Sequence, residues 1–255
     1  MNRTHFFIIG FILILPLIFL PAFCMAGEFQ GRIVKCKGKV TIKNSKGKLR
    51  TPEVSDYIAI SDEEINTQSG GKAVVKFTNG SMTVIGENSS LGIEKPTLFA
   101  HLRGRILFSF AKTTGPTRMV QTGSAVFGVR ATSFIVDKDE NGESLALKEG
   151  LVNVESPKGA FEIHKKKEQD ELNAYKAEIE EGVKDMKREG EEFIKNEQAE
   201  FVDYKKSFLL NAQNTISIKG NRVDQRPMDK DDKAAFDELE KFAGDHMKGF
   251  RNSDR

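Results

Sequence analysis

The stretch AVVKFTNGSMTV, residues 73–84, decides the fold class of this chain. Apolar side chains occupy every second position from Ala73 to Phe77, the dipeptide Asn79-Gly80 then offers a turn, and apolar residues resume after it. Successive side chains of a β-strand point to opposite faces, so a period of two around a central turn predicts a hairpin with one buried face.

The same pattern continues outward from this hairpin over residues 28–163. Gly, Asn and Asp residues interrupt the short alternating runs at intervals of roughly ten positions, as in all-β domains. A mainly β domain is therefore predicted here, built as a sandwich, a barrel or a solenoid. Within it, Cys36 shares its parity with the apolar residues Val34 and Val40, which predicts a buried thiol rather than a reactive one.

Charge and motif content argue against several classes of function. The 39 Lys and Arg residues nearly balance the 37 Asp and Glu residues, so nucleic acid is not an expected partner. His101, His164 and His246 show no metal-ligand spacing, and no catalytic motif is present. The loop 137–142 carries oxygen side chains at alternate positions, but Lys148 stands where a calcium loop needs its bidentate Glu. We expect a simple hairpin turn there, and no catalytic residue, metal or cofactor.

A targeting segment is predicted over residues 1–26. A positive charge precedes the apolar run Phe6–Cys24, and the small residue Ala26 suits signal-peptidase cleavage, which predicts a periplasmic or secreted protein. The alternative is an uncleaved anchor, since residues 6–24 are long enough to hold the chain in the inner membrane, facing the periplasm. A third interpretation, lipidation of Cys24, is disfavoured by the bulky Phe23 before it.

Residues 165–211 have a different pattern, rich in Glu, Lys, Ala and Gln and without proline. Apolar residues recur at steps of three and four, which predicts a long charged helical hairpin or arm. Its aromatic residues are expected either to pack on the β-domain or to dock onto a second copy or another envelope protein: Phe193, Phe201, Tyr204 and Phe208. A returning strand is predicted over 214–223, and a C-terminal helix over 229–248 with Asp229 as its N-cap.

Five short motifs follow one another in the β-region, and their order resembles the FecR family of periplasmic domains. The motifs are Gly71-x-Ala73-x-Val75-x-Phe77-x-x-Gly80-Ser81, Asn88-Ser89-x-Leu91-x-Ile93, Gly104-x-Ile106, Thr122-x-x-Ala125-Val126-x-Gly128-Val129-Arg130-Ala131-Thr132-x-Phe134-x-Val136, and Glu149-Gly150-x-Val152-x-Val154. The resemblance implies a FecR-like β-solenoid or stacked-sheet domain. The motif residues expected to have structural roles are Gly80, Ser81, Gly128, Arg130, Thr132, Phe134 and Gly150. For Arg130 the expected role is pairing with a carboxylate or capping of carbonyl groups.

One departure from the family pattern bears on the backbone. Ala131 stands where the family usually has Gly, and an alanine would be costly if that position needed a positive φ. The sequence leaves open whether the position is left-handed.

The function expected from these features is binding rather than catalysis. FecR proteins include regulators that relay iron-siderophore signals to sigma factors, but only five residues precede the apolar run here, so this regulatory activity is not expected of the chain. The favoured hypothesis is an exported, non-enzymatic binding or scaffolding module of the cell envelope. The alternatives are a membrane-anchored accessory of envelope signal transduction acting through a partner, and an envelope enzyme whose site the sequence does not disclose.

Overall fold

The computed structural model describes residues 31–58, 63–78, 80–95, 97–112, 117–165 and 202–247. The predicted targeting segment 1–26 and the part of the predicted helical tail over 166–201 lie outside these residues. No helix in the described ranges combines the length and hydropathy needed to cross a membrane. The strands are β1 Gly31–Lys37, β2 Val40–Asn44, β3 Leu49–Arg50, β4 Tyr57–Ile58, β5 Glu63–Thr67, β6 Lys72–Phe77, β7 Met82–Ile85, β8 Ser90–Lys95, β9 Leu98–Ser109, β10 Arg118–Gln121, β11 Val126–Asp139, β12 Gly142–Glu155, β13 Phe161–Lys165, β14 Val202–Lys205, β15 Ser207–Asn211, β16 Asn214–Lys219 and β17 Arg222–Pro227. Helix α1 spans Lys230–Ala243.

The strands form one hydrogen-bonded sheet that folds over into two layers. In the first layer the order is β4, β1, β6, β7, the second part of β9, the second part of β11, the first part of β12, β16, β17, β13 and β14. In the second layer it is β3, β2, β5, β8, the first part of β9, β10, the first part of β11, the second part of β12 and β15. We call these the helix-covered layer and the open layer.

Three long strands pass from one layer to the other and so hold the two layers together. Each bends at a residue with positive φ: β9 at Gly104 (79°), β11 at Ala131 (52°) and β12 at Gly150 (93°). At Gly150 a Cβ would lie 2.5 Å from the Thr132 Cγ2 atom and 2.6 Å from the Ala131 carbonyl oxygen, so only glycine fits. The φ of 52° shows that Ala131 has a left-handed backbone conformation, which the sequence alone left open.

The core lies between the two layers and is built from the inward side chains of both. Phe77 of the helix-covered layer meets Phe99 of the open layer with ring centroids 5.2 Å apart. Phe134 is fully buried and stacks on Phe108 at 5.3 Å. Because alternate residues of each strand face this core, the alternation seen in the sequence is the pattern that two stacked layers require.

Helix α1 covers the outer face of the first layer. Its apolar side, with Phe236 and Leu239, packs against outward residues such as Val84 and Ile135 in a second buried cluster. Its first turn is closed by a capping box between Asp229 and Asp232. The Asp232 carboxylate also accepts hydrogen bonds from Arg226 and from the Thr215 hydroxyl group, which joins the helix to β16 and β17.

Two parts of the predicted fold need correction. The chain is mainly β, but a solenoid is not supported, because all strand pairings except β9–β10 and β13–β17 are antiparallel among the described residues, whereas a parallel β-helix winds with parallel neighbours. The helix predicted through residue 211 is wrong over 202–211, which form β14 and β15. These residues find hydrogen-bonding partners on β13 and β12, and tertiary pairing overrides local helix propensity.

Candidate binding surface

The outer face of the open layer carries a row of four aligned residues with an exposed apolar side chain at each end. Strand pairing aligns Met119 of β10, Gly128 of β11, Asn153 of β12 and Leu209 of β15. Met119 is 38% exposed and Leu209 is 59% exposed. We call the outward residues of these four strands the open face.

A second row runs beside the first and adds one more exposed apolar residue. Leu151 of β12 is 44% exposed and lies between Arg130 of β11 and Asn211 of β15. Single exposed apolar residues are ordinary on protein surfaces. Met119, Leu151 and Leu209 lie on three strands of one face, β10, β12 and β15, and exposed apolar residues gathered on one face can mark an interaction site.

Strand alternation explains why these apolar side chains point outward. Val152 and Val154 of β12 are fully buried, so Leu151 and Asn153, which alternate with them, must face solvent. In β10 the buried residues Arg118 and Val120 enclose Met119 in the same way. The strand register therefore determines which residues are exposed. Shifting the register by one residue would turn Met119, Leu151 and Leu209 inward and turn the present core residues outward.

Gly128 keeps the middle of the open face flat. Its φ is not positive, and an added Cβ would meet its nearest atoms, those of Asn153, at 3.7 Å, an ordinary contact distance. Neither backbone conformation nor close packing therefore requires glycine at this position. The missing side chain leaves room in this row between Met119 and Asn153.

Two opposite charges flank the open face. In the open layer the β11–β12 pairing runs from Val126 and Glu155 to Arg130 and Leu151, so Arg130 and Glu155 lie at its opposite ends, and both are exposed. Neither side chain makes a hydrogen bond or an ion pair with a residue that the structure describes. The pairing role expected for Arg130 is thus not found among these residues, and its guanidinium group is available to a partner.

The other residues singled out by the family motifs lie in a turn, at a bend between layers and in the core. Gly80 takes a φ of 79° in the turn between β6 and β7, and Ser81 beside it is fully buried. Thr132, also buried, lies at the bend of β11 beside Gly150. The structure thus brings Thr132 and Gly150 together at a layer crossing, while Phe134 lies in the core and Gly80 elsewhere in a turn.

A cleft of about 700 Å³ at the rim of the layers is a weaker candidate. It lies between the bend of β9, the β11–β12 hairpin and α1, and its charges are largely used within the molecule. The Arg105 guanidinium contacts the Asp137 carboxylate at 2.7 Å, and the Glu87 carboxylate accepts a hydrogen bond from the Gly70 amide at 2.7 Å. The Asp139 carboxylate accepts hydrogen bonds from the backbone amides of Asn141 and Gly142 in the hairpin turn. Within the described ranges, no group of three His, Cys, Asp or Glu side chains could hold a metal ion.

The described cysteine is not arranged as a nucleophile. Cys36 is half-buried, and desolvation, aided by the negative charge of Asp56, raises the pKa of its thiol. A raised pKa keeps the sulfur in its weakly nucleophilic thiol form.

Sequence reasoning missed the open face, although a signal for it was present. In each of the three strands the alternate positions that face the core are already occupied. Met119, Leu151 and Leu209 are apolar residues at the remaining, outward-facing positions, where polar residues are expected. For Leu209 even this signal was hidden, because its segment was assigned to a helix.

Part of the chain matches the model of a known protein family. The model of the FecR protein family matches residues 63–153, from β5 to the second part of β12, which includes all three bends between layers. Among curated proteins, none matches the chain significantly in sequence. Two crystal structures of a candidate anti-sigma factor from Parabacteroides distasonis ATCC 8503 are similar, at 14% and 13% identity, with TM-scores of 0.45 and 0.44, over 68% of this chain and 63% of theirs.

This chain thus spans less than two thirds of the length of the two Parabacteroides structures. A cell surface anchoring domain matches 26% of this chain and 87% of its own, at 30% identity and a TM-score of 0.24. The family match covers the stretch where four of the five sequence motifs lie entirely and the fifth ends one residue later. The family model therefore identifies a FecR domain over residues 63–153 of this chain.

Proposed function

We propose that this chain is a non-enzymatic binding module of the cell envelope, and that the open face is its binding surface. One observation carries the proposal: α1 covers the outer face of one layer, whereas the outer face of the other leaves Met119, Leu151 and Leu209 exposed in adjacent rows. Exposed apolar side chains on one face, with the charged residues Arg130 and Glu155 at opposite ends, are an arrangement found in protein interfaces.

The envelope location rests on the apolar run Phe6–Cys24 in a chain that carries a FecR domain. The absence of charged side chains from the centre of the open face favours a protein partner with a matching apolar surface. Arg130 and Glu155 at its ends would set the orientation of that partner, since charges at an interface rim act mainly on specificity and association rate.

Site-specific photo-crosslinking in cells tests the proposal. A photoreactive residue is placed at Met119 or at Leu151, and for comparison at Val54, which is 60% exposed but lies off the open face, between β3 and β4. We expect a defined product with a different envelope protein from Met119 and Leu151 and none from Val54. Absence of such a product, or an equal yield from Val54, would contradict the proposal.

A second function, an accessory of envelope signal transduction, is favoured by the FecR domain itself. This role needs a fixed position at the membrane, so residues 6–24 would remain attached to the chain. Finding the intact N-terminus in the membrane fraction would support it, and a cleaved N-terminus in a soluble envelope fraction would argue against it.

A further inference from the structure

The edge of the open layer at β15 differs from the other outermost strands. An exposed strand edge presents unpaired backbone groups, and proteins usually protect it by shortness or by charge. The edge strands β3 and β4 have two residues each. At the edge of the helix-covered layer, β14 carries Asp203 and Lys205, which contact each other at 2.9 Å.

Strand β15 lacks these protections. It has five residues, Ser207–Asn211, none of them charged and none of them proline. Its only strand partner in the described part of the chain is β12. Leu209, at its centre, is 59% exposed on the open face.

The direction of the backbone groups follows from the pairing with β12. The Ser156 amide donates to the Lys206 carbonyl oxygen at 2.9 Å, which makes these two residues a hydrogen-bonded pair. Hydrogen-bonded and non-hydrogen-bonded pairs alternate along antiparallel strands, so Phe208 and Leu210 also bond to β12. The N–H and C=O groups of Ser207 and Leu209 must then point away from β12, toward the open edge.

We infer that two copies of this chain associate through β15, edge to edge and antiparallel, about a twofold axis at Leu209. In this register Leu209 of each copy forms a hydrogen-bonded pair with Leu209 of the other, and Ser207 pairs with Asn211. The two open faces then join into one, and the exposed Leu209 side chains become neighbours across the axis.

The charges near the strand are compatible with this arrangement. In the twofold register, Lys206 falls opposite Ala212 and Lys205 falls opposite Gln213, so no two lysines oppose each other. The partly buried Phe208 and the buried Leu210 face inward and keep their places, because Phe208 already packs on Phe161 at 5.9 Å between the layers. The association therefore needs no rearrangement of the core. It also does not depend on the binding role proposed for the open face.

Sedimentation of the full chain over a range of concentrations, with two variants, tests the inference. Leu209→Pro removes an amide that points away from β12, and proline is tolerated on an edge strand when its missing N–H faces solvent. Met119→Lys places a charge on the open face but leaves the edge intact, and is the matched control. We expect a dimer for the wild type and for Met119→Lys, and a dissociation constant raised by at least about tenfold for Leu209→Pro at unchanged circular dichroism.

Disulfide formation gives an independent measurement that does not rely on the proline variant. Hydrogen-bonded antiparallel pairs have Cα atoms about 5.5 Å apart, which lies within the span of a disulfide. Leu209→Cys should therefore yield a covalent dimer on mild oxidation, and Leu151→Cys on the neighbouring strand should not.

A wild-type chain that stays monomeric, as it would if residues 166–201 occupied the β15 edge, would overturn the inference. So would a dimer that Met119→Lys abolishes and Leu209→Pro preserves, since that result means face-to-face packing. The photo-crosslinks from Met119 to a different protein test the binding role of the open face and do not depend on the dimer. Each of the two proposals can therefore be rejected without rejecting the other.

Discussion

The substitution Phe134→Ala should destabilise the protein more than any change on its surface. Phe134 is fully buried in β11, stacked on Phe108 at 5.3 Å and near Phe110 at 6.0 Å. Replacing a buried Phe by Ala lowers the free energy of unfolding by about 3–5 kcal/mol. Part of this loss is the apolar surface that is no longer buried, and part is the cavity that the neighbouring side chains cannot fill. This is a large share of the 5–15 kcal/mol typical of folded proteins.

The expected effect on thermal unfolding follows from this cost. For a domain of this size, each kcal/mol lowers the melting temperature by about 2–4 °C, so the variant should melt roughly 6–20 °C below the wild type. Tyr204→Ala is the control, since Tyr204 is 68% exposed on β14, and its effect should stay within about 0.5 kcal/mol. Circular dichroism melts of both variants measure the difference. A shift of only a degree or two for Phe134→Ala would mean that the register of β11 described above is wrong.

Four further predictions concern the bends, the helix and the N-terminus. Gly150→Ala should lower the unfolding free energy in urea by more than about 1 kcal/mol, because its φ is positive and the added Cβ has no room, whereas Gly128→Ala should be nearly neutral. Ala131→Gly should raise stability by about 0.5–1 kcal/mol, since relief of the left-handed strain exceeds the entropy cost of glycine; an equal or lower midpoint would argue against strain there. Burial raises the pKa of Asp232, but the hydrogen bonds that its carboxylate accepts outweigh this effect and hold the pKa below its usual value of 3.8. The ionised Asp232 therefore stabilises the folded state above pH 3.8, and this stabilisation is lost as the pH falls through the lower pKa of the folded state. The stability gap between wild type and Asp232→Asn should therefore narrow on acidification, and a gap that stays constant down to pH 2 or so would refute the assignment. Sequencing of the mature protein should begin at Gly27, and an intact N-terminus would reject cleavage.

Local alternation was sufficient to locate many strands and to identify their buried side. Residues 73–84 form the hairpin β6–β7, with Ala73, Val75 and Phe77 facing the core. Phe134 is buried as the motif around it indicated. A period of two depends only on neighbouring residues in one strand, so a single sequence contains it.

The segment 202–211 shows where local patterns mislead. Tyr204 and Phe208 lie four residues apart, a spacing that suits one face of a helix, yet Tyr204 is exposed on β14 and Phe208 packs into the core from β15. The outcome depends on hydrogen bonds to β13 and β12, whose paired residues lie about forty to sixty positions earlier in the chain. Spacing within ten residues carries no information about partners so distant.

The sequence by itself determined that the chain is mainly β, that it carries a FecR domain, and which side of most strands is buried, because these depend on residues close together in the chain. Only the tertiary structure decided which layer α1 covers, and that Met119, Gly128 and Leu209 form one row although ninety positions separate the first from the last. The same is true of the open edge at β15. An interface is a property of neighbours in space, and in a sheet those neighbours are chosen by strand pairing.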